Sequence, residues 1–167
     1  MNRSGIAISL VVLLAALAAH AQSNSQKSFA SIKALAGTWE GKNQTGDAVQ
    51  VSYKLTAGDS AVMSDITTNK PGHNFDMITM FNMDGDRMLM THYCSAGNQP
   101  RMQASLSPDG KTLTFDFVDA TNLAAAQPGH MQRVIFTFID ANHHIEEWHF
   151  ATPGKEMVER FDLQKKS

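Results

Sequence analysis

The sequence predicts an all-β fold: a closed up-and-down antiparallel barrel of about ten strands, with a short N-terminal helix and a loop or helical turn at the mouth. Three observations lead there. Turn chemistries recur at even spacing: Gly46-Asp47, Gly58-Asp59, Pro71-Gly72, Asp84-Gly85, Asp109-Gly110, Asn142-His143 and Pro153-Gly154. The segments between them alternate apolar and polar residues. Leu113, Phe115 and Phe117 oppose Thr112, Thr114 and Asp116, and Val134, Phe136 and Phe138 oppose Arg133 and Thr137. Period two with one wet face is the pattern of antiparallel hairpins, and a meander that closes leaves no strand edge exposed. Finally, a lone Trp39 stands between Gly37 and Gly41, just before the first strand, where it can plug one end of a barrel.

In chain order, residues 1–21 read as a secretory signal peptide. Arg3 precedes an apolar run over residues 6–19, and Ala19-His20-Ala21 is a small-x-small cleavage site. The run is too short for a bilayer-crossing helix of ~20 residues. Gln22 stands where a lipoprotein would carry Cys, so the mature chain is expected to begin there. No other stretch could span a membrane, and the expected location is secreted or periplasmic. Residues 22–34 hold a polar leader and then a short helix. Ser23 to Gln26 reads as disordered, whereas Phe29, Ile32 and Leu35 fall at i, i+3 and i+6, with Ser28 as a possible N-cap.

The barrel domain is assigned to residues 35–167, one domain's worth of chain. Its strands are expected near 38–43, 48–56, 60–68, 74–82, 87–94, 100–106, 112–119, 131–140, 144–151 and 156–164. Asp84-Gly85 is the strongest hairpin signal. The alanine-rich segment 120–129 interrupts the pattern, and Pro128 and Gly129 would stop any helical turn there. It is expected to form a loop or lid at the mouth.

Composition narrows the function classes. The chain carries 14 Lys+Arg against 16 Asp+Glu, a formal charge of -2, without a basic run that would mark a nucleic-acid partner. Cys94 is the single cysteine, so no internal disulfide can form and the fold rests on its core. Cys94 is expected to be buried. No Gly-x-Ser-x-Gly elbow, P-loop or dinucleotide fingerprint occurs, and neither His-x-x-x-His nor Cys-x-x-Cys spacing exists. No metal and no cofactor is expected, and the oligomeric state is open.

Gly37-Thr38-Trp39 after a short helix, about ten meandering strands, and Arg160 on the last strand together resemble the calycin superfamily. That group takes in lipocalins, fatty-acid-binding proteins and nitrobindin-like barrels. The chain looks most like small secreted bacterial lipocalin-like proteins of unknown function. The strand count and single Cys depart from eight-stranded lipocalins and suit the ten-stranded relatives better. The resemblance implies an inner cavity for a small, usually apolar, ligand. It also implies that Trp39 and Arg160 form a structural stacked pair that seals the closed end. Nitrobindin-like relatives hold heme through one histidine near the C-terminal strands, and His149 lies in that region, although Glu146-Glu147 before it are unlike an apolar heme pocket.

Three polar clusters supply candidate site residues. In the first, Met88, Met90 and His92 share the face opposite Arg87 and Thr91, so they are expected to point inward and line the cavity. Arg101 follows the next turn and is either an anion contact at the rim or a solvated strand residue. In the second, His130 enters the strand after the mouth loop. In the third, Glu146 and Trp148 share a face; inside, Glu146 would place a carboxyl in an apolar cavity. Met77, Met80, Met83 and Met102 lie on the same stretch as Met88 and Met90, where flexible thioethers fill irregular space. Three functions follow: a barrel binding a small apolar or amphipathic molecule, an enzyme using His92, His130 and Glu146 at the mouth, and an interaction domain with a filled core.

Overall fold

A computed structural model describes residues 22–70, 73–125 and 128–166. The leader 1–21 and the Pro71-Gly72 turn lie outside the described residues. The elements are one helix, α1 (Asn24–Ala34), and ten strands: β1 (Gly37–Asn43), β2 (Ala48–Thr56), β3 (Ala61–Lys70), β4 (His73–Asp84), β5 (Arg87–Tyr93), β6 (Gln99–Leu106), β7 (Thr112–Thr121), β8 (His130–Asp140), β9 (His143–Thr152) and β10 (Lys155–Lys165). Each strand pairs antiparallel with the next, and β1 pairs with β10 to close the barrel. The helix is not long and apolar enough to cross a membrane.

The helix begins earlier than the sequence suggested. Ser23 is the N-cap in a capping box: its Oγ accepts from Gln26 N–H, while Gln26 Oε1 accepts from Ser23 N–H. Ser28, expected at the cap, is instead a buried interior residue whose hydroxyl donates to Asn24 O. The polar leader over residues 23–26 is thus the helix's first turn, because reciprocal side-chain bonds satisfy its free N–H groups. Phe29, Ile32 and Leu35 are buried and lay the helix across one end of β4, β5 and β6.

Trp39 plugs that end. It is 1% exposed, and its indole N–H donates to Leu35 O at 2.7 Å. The cation over its ring is Lys165, 5.5 Å from the centroid, and not Arg160. Register explains the correction. Trp39 sits opposite Lys165, and five residues along β10 carry Arg160 ~17 Å away. Phe161 and Leu163 are buried, so Arg160 alternates outward, where it reaches Asp162 at 3.5 Å. The expected last strand stopped at 164, one residue short of the true partner.

Beside the plug the barrel is filled, not hollow. Phe81, Phe115 and Phe136 pack with ring centroids 5.6–6.2 Å apart, and Met88, Met90 and Met102 are fully buried around them. At the opposite end β7 continues to Thr121 and no helical turn follows among the described residues; Ala126 and Gln127 lie outside them. The segment's ends are pinned to the β5–β6 turn: Asn122 Nδ2 donates to Gly97 O at 2.6 Å and Asn98 Nδ2 to Gly129 O at 2.7 Å.

Candidate ligand site at the barrel mouth

The end away from α1 holds a pocket of about 380 Å³. Met77, Met131, Met157, Phe150 and Phe161 give it an apolar wall, and Thr68, Cys94 and Ser95 add small polar groups. The pocket lies beyond the plugged half, and the side chains that reach in are flexible thioethers and single rings. Its volume lies in the range of small-molecule sites, at the small end. At the rim Asn43 donates to Glu159 Oε1 at 2.7 Å, tying β1 to β10. Cys94, expected to be buried, is half-buried and lines the pocket. Burial pushes its thiol pKa up, against weaker opposing bonds from Ala96 N–H and Ser95. A protonated thiol is a poor nucleophile.

Beneath the pocket lies a buried polar belt. Tyr53, Ser64, Thr79 and His92 are mutually opposite on β2, β3, β4 and β5, and all are buried. Glu146 faces them from β9 and is 0% exposed. Three groups converge on its carboxyl. The Tyr53 hydroxyl donates to Oε1, His144 Nε2 lies 3.0 Å from the same oxygen, and Trp148 Nε1–H donates to Oε2 at 2.8 Å. A buried carboxyl is tolerable only with such partners. Burial is the main cause holding the Tyr53 pKa well above its ordinary value; the charge and hydrogen bond of Glu146 add to it, and Ser64 opposes it weakly from beyond hydrogen-bond geometry. Trp39 meets the His144 ring edge-on at 4.3 Å, which couples the plug to the belt.

His92 Nδ1 lies 2.9 Å from Thr79 Oγ1, its ring is 4.8 Å from Trp148, and its Nε2 has no partner. Burial lowers its pKa to about 4, so the ring is neutral at pH 7.

The expected residues divide accordingly. Met88, Met90, His92, Glu146 and Trp148 face inward, but they fill the packed interior and none lines the mouth pocket. Arg101 is on the outer face, held by both carboxylate oxygens of Asp119 across β6 and β7. Its partner is thus a surface carboxylate, and it does not line the mouth pocket. The His130 ring packs at a tilt against Phe117, centroids 4.4 Å apart, with Nδ1 2.8 Å from Pro128 O. It lies opposite Ala151, whereas Glu146 lies opposite Phe136, six residues or ~20 Å further along β8. The trio His92, His130 and Glu146 is thus not assembled, and His92 meets Glu146 only through Trp148.

The residues present do not fit a heme held by His149. Trp148 takes the inward position, and His149 turns its Nδ1 to the exposed Glu156 carboxylate at 3.1 Å. None of the residues lining the pocket is a histidine. Among the described residues no group of three His, Cys, Asp or Glu side chains is placed to hold a metal ion.

Sequence reasoning missed Met131, Met157, Phe150 and Phe161 as pocket wall. The available signal was position: all four are inward residues, with Met131, Phe150 and Met157 near the strand ends away from Trp39 and Phe161 further along β10, opposite Asn43.

Fold and site together define a closed ten-stranded antiparallel barrel with a plugged base and an apolar mouth. Among solved structures the chain is similar to Rv2717c from M. tuberculosis, with a TM-score of 0.58 and 12% identity, covering 84% of this chain and 98% of that one. At such identity the likeness shows the fold alone. No family model matches the chain, and no curated protein does.

Proposed function

We propose that this chain is an exported barrel that binds a small apolar or amphipathic molecule at its mouth. One observation carries the reading: a pocket of about 380 Å³ with a mainly apolar wall, at the end that Trp39 and α1 leave uncovered. Apolar surface held in a concave, pre-formed site is the ordinary basis of small-molecule binding. The leader-like residues 1–21 support export to a secreted or periplasmic location.

Titration of the chain from Gln22 onward with an environment-sensitive apolar fluorophore tests the reading. Saturable one-to-one binding is expected in the wild type. Met131→Trp, which fills the pocket from β8, is expected to weaken it at least tenfold while leaving the far-UV circular dichroism unchanged. Absence of saturable binding, or equal binding by a folded Met131→Trp, would contradict the proposal.

A further inference from the structure

The wall of the pocket and the polar belt are adjacent rows of the same sheet. Met77 stands one inward position above Thr79 on β4, and Cys94 follows His92 by two residues, just past the end of β5. Two residues of strand are ~6.7 Å, so the belt lies directly beneath the pocket wall. Three atoms of that belt and its Glu146 network, Ser64 Oγ, His92 Nε2 and His144 Nδ1, are buried and make no hydrogen bond within the chain, and Thr68 Oγ1 on the pocket wall makes none either; His144 packs edge-on against Trp39 on the plugged side, which leaves Ser64 and His92 as the ones nearest the pocket. A buried polar atom without a partner costs free energy that a ligand group can recover.

The charge pattern selects the kind of group. No residue lining the pocket is cationic. Arg87, Arg101 and Arg133 are engaged by Asp84, Asp119 and Asp116 on exposed faces, and Lys165 lies over Trp39 at the plugged end. The carboxyls near the head position are Glu159 at the rim and Glu146 in the belt; the Cys94 thiol, the Tyr53 hydroxyl and the His92 and His144 rings lie there too. An anionic head would therefore be desolvated without a countercharge. A cationic head would reach Glu146 only by displacing Tyr53, His144 or Trp148. A hydroxyl both donates and accepts, so it matches Nε2 in whichever tautomer the Thr79 bond selects.

We propose that the ligand is an uncharged amphipathic molecule with one terminal hydroxyl, inserted head first so that the hydroxyl bonds His92 Nε2 and the apolar remainder fills the mouth. This inference rests on the mouth pocket being a binding site. Burial that keeps the His92 ring neutral agrees with a neutral head. Met77 and Met131 line the pocket, Met77 one inward position from Thr79, and their thioethers re-pack readily enough to admit the head.

The test compares three guests of one shape by calorimetric titration at pH 7: 4-butylphenol, butylbenzene and 4-butylbenzoate. Butylphenol is expected to bind about tenfold more tightly than butylbenzene, the scale of one buried hydrogen bond, and butylbenzoate more weakly than either. His92→Leu is expected to remove the phenol's advantage and leave butylbenzene affinity within about twofold. In wild type, the ring nitrogen resonances of His92 are expected to shift on saturation with butylphenol and not with butylbenzene, so the outcome does not depend on the variant folding. Equal binding of phenol and benzene, as a water bridging Nε2 would give, overturns the inference and leaves the mouth site standing. Tightest binding by the benzoate, or His92 resonances unmoved by the phenol, does the same. If none of the three binds, the mouth site and the inference fail together.

Discussion

At the scale of single residues, His92 carries a measurable pH signature. The unfolded chain protonates this imidazole near 6.5, whereas the folded chain does so only near 4. Between those values the unfolded state binds more protons, so stability falls as pH drops from about 6.5 to about 4, by on the order of 3 kcal/mol in total. Chemical denaturation at several pH values is expected to show this slope in wild type and its loss in His92→Leu; parallel slopes would contradict the buried neutral ring. Glu146 gives a second outcome. Glu146→Leu removes the acceptor for Tyr53, His144 and Trp148 at once, and is expected to cost 3 kcal/mol or more, ~1 per bond broken. A melting temperature within a few degrees of wild type would show that the network contributes little. The sequence left Glu146 open between the two faces of its strand, but the inward direction of Met88, Met90 and His92 was legible because alternation with Arg87 and Thr91 fixes the face. The partners of Glu146 were not, because Tyr53 and Glu146 lie 93 residues apart and meet only when the barrel closes.

At the scale of elements, closure depends on how near β1 can approach β10. A Cβ on Gly41 would stand 1.8 Å from Asp162 O, so only glycine fits without moving backbone. Gly41→Ala is expected to destabilise by ~1–3 kcal/mol as the strands are forced apart, read as a lowered thermal midpoint. An unchanged midpoint would show that the seam yields easily. The N-cap offers a milder contrast: Ser23→Ala is expected to cost ~1 kcal/mol, because one helix N–H loses its acceptor. Strand positions were readable from turns such as Asp84-Gly85, whose Gly85 adopts a φ of 61°. Helix onset was misread because Ser23 and Gln26 look like polar tail until each is seen to satisfy the other. The Trp39–Arg160 pairing failed for a different reason. Strand direction is periodic and readable, but the register between β1 and β10 sets which basic residue faces Trp39, and that register joins the two ends of the barrel.

At the scale of the whole molecule, the barrel is asymmetric along its axis. One end is closed by α1, Trp39 and stacked rings; the other opens into the mouth pocket. The sequence made the barrel and its plug legible, since both follow from local pattern. It did not show how deep the filling reaches, because interior volume depends on side chains contributed by all ten strands at once. Met88 and Met90 therefore look like cavity wall in sequence and are packed core in the structure, while Met131 and Met157 look ordinary and line the pocket. Export is expected to remove residues 1–21, so N-terminal sequencing of exported protein is expected to begin at Gln22; an intact Met1 would contradict this.

The most direct measurement of the mouth site uses these methionines. In protein carrying ¹³C-methyl methionine, titration with butylbenzene is expected to shift the methyl resonances of Met77, Met131 and Met157 together, with one dissociation constant. Those of Met88, Met90 and Met102, fully buried in the core, are expected to stay within a small fraction of that shift. A spectrum unchanged throughout, or one in which the core methyls move while the mouth methyls do not, would contradict a binding site at the mouth of the barrel.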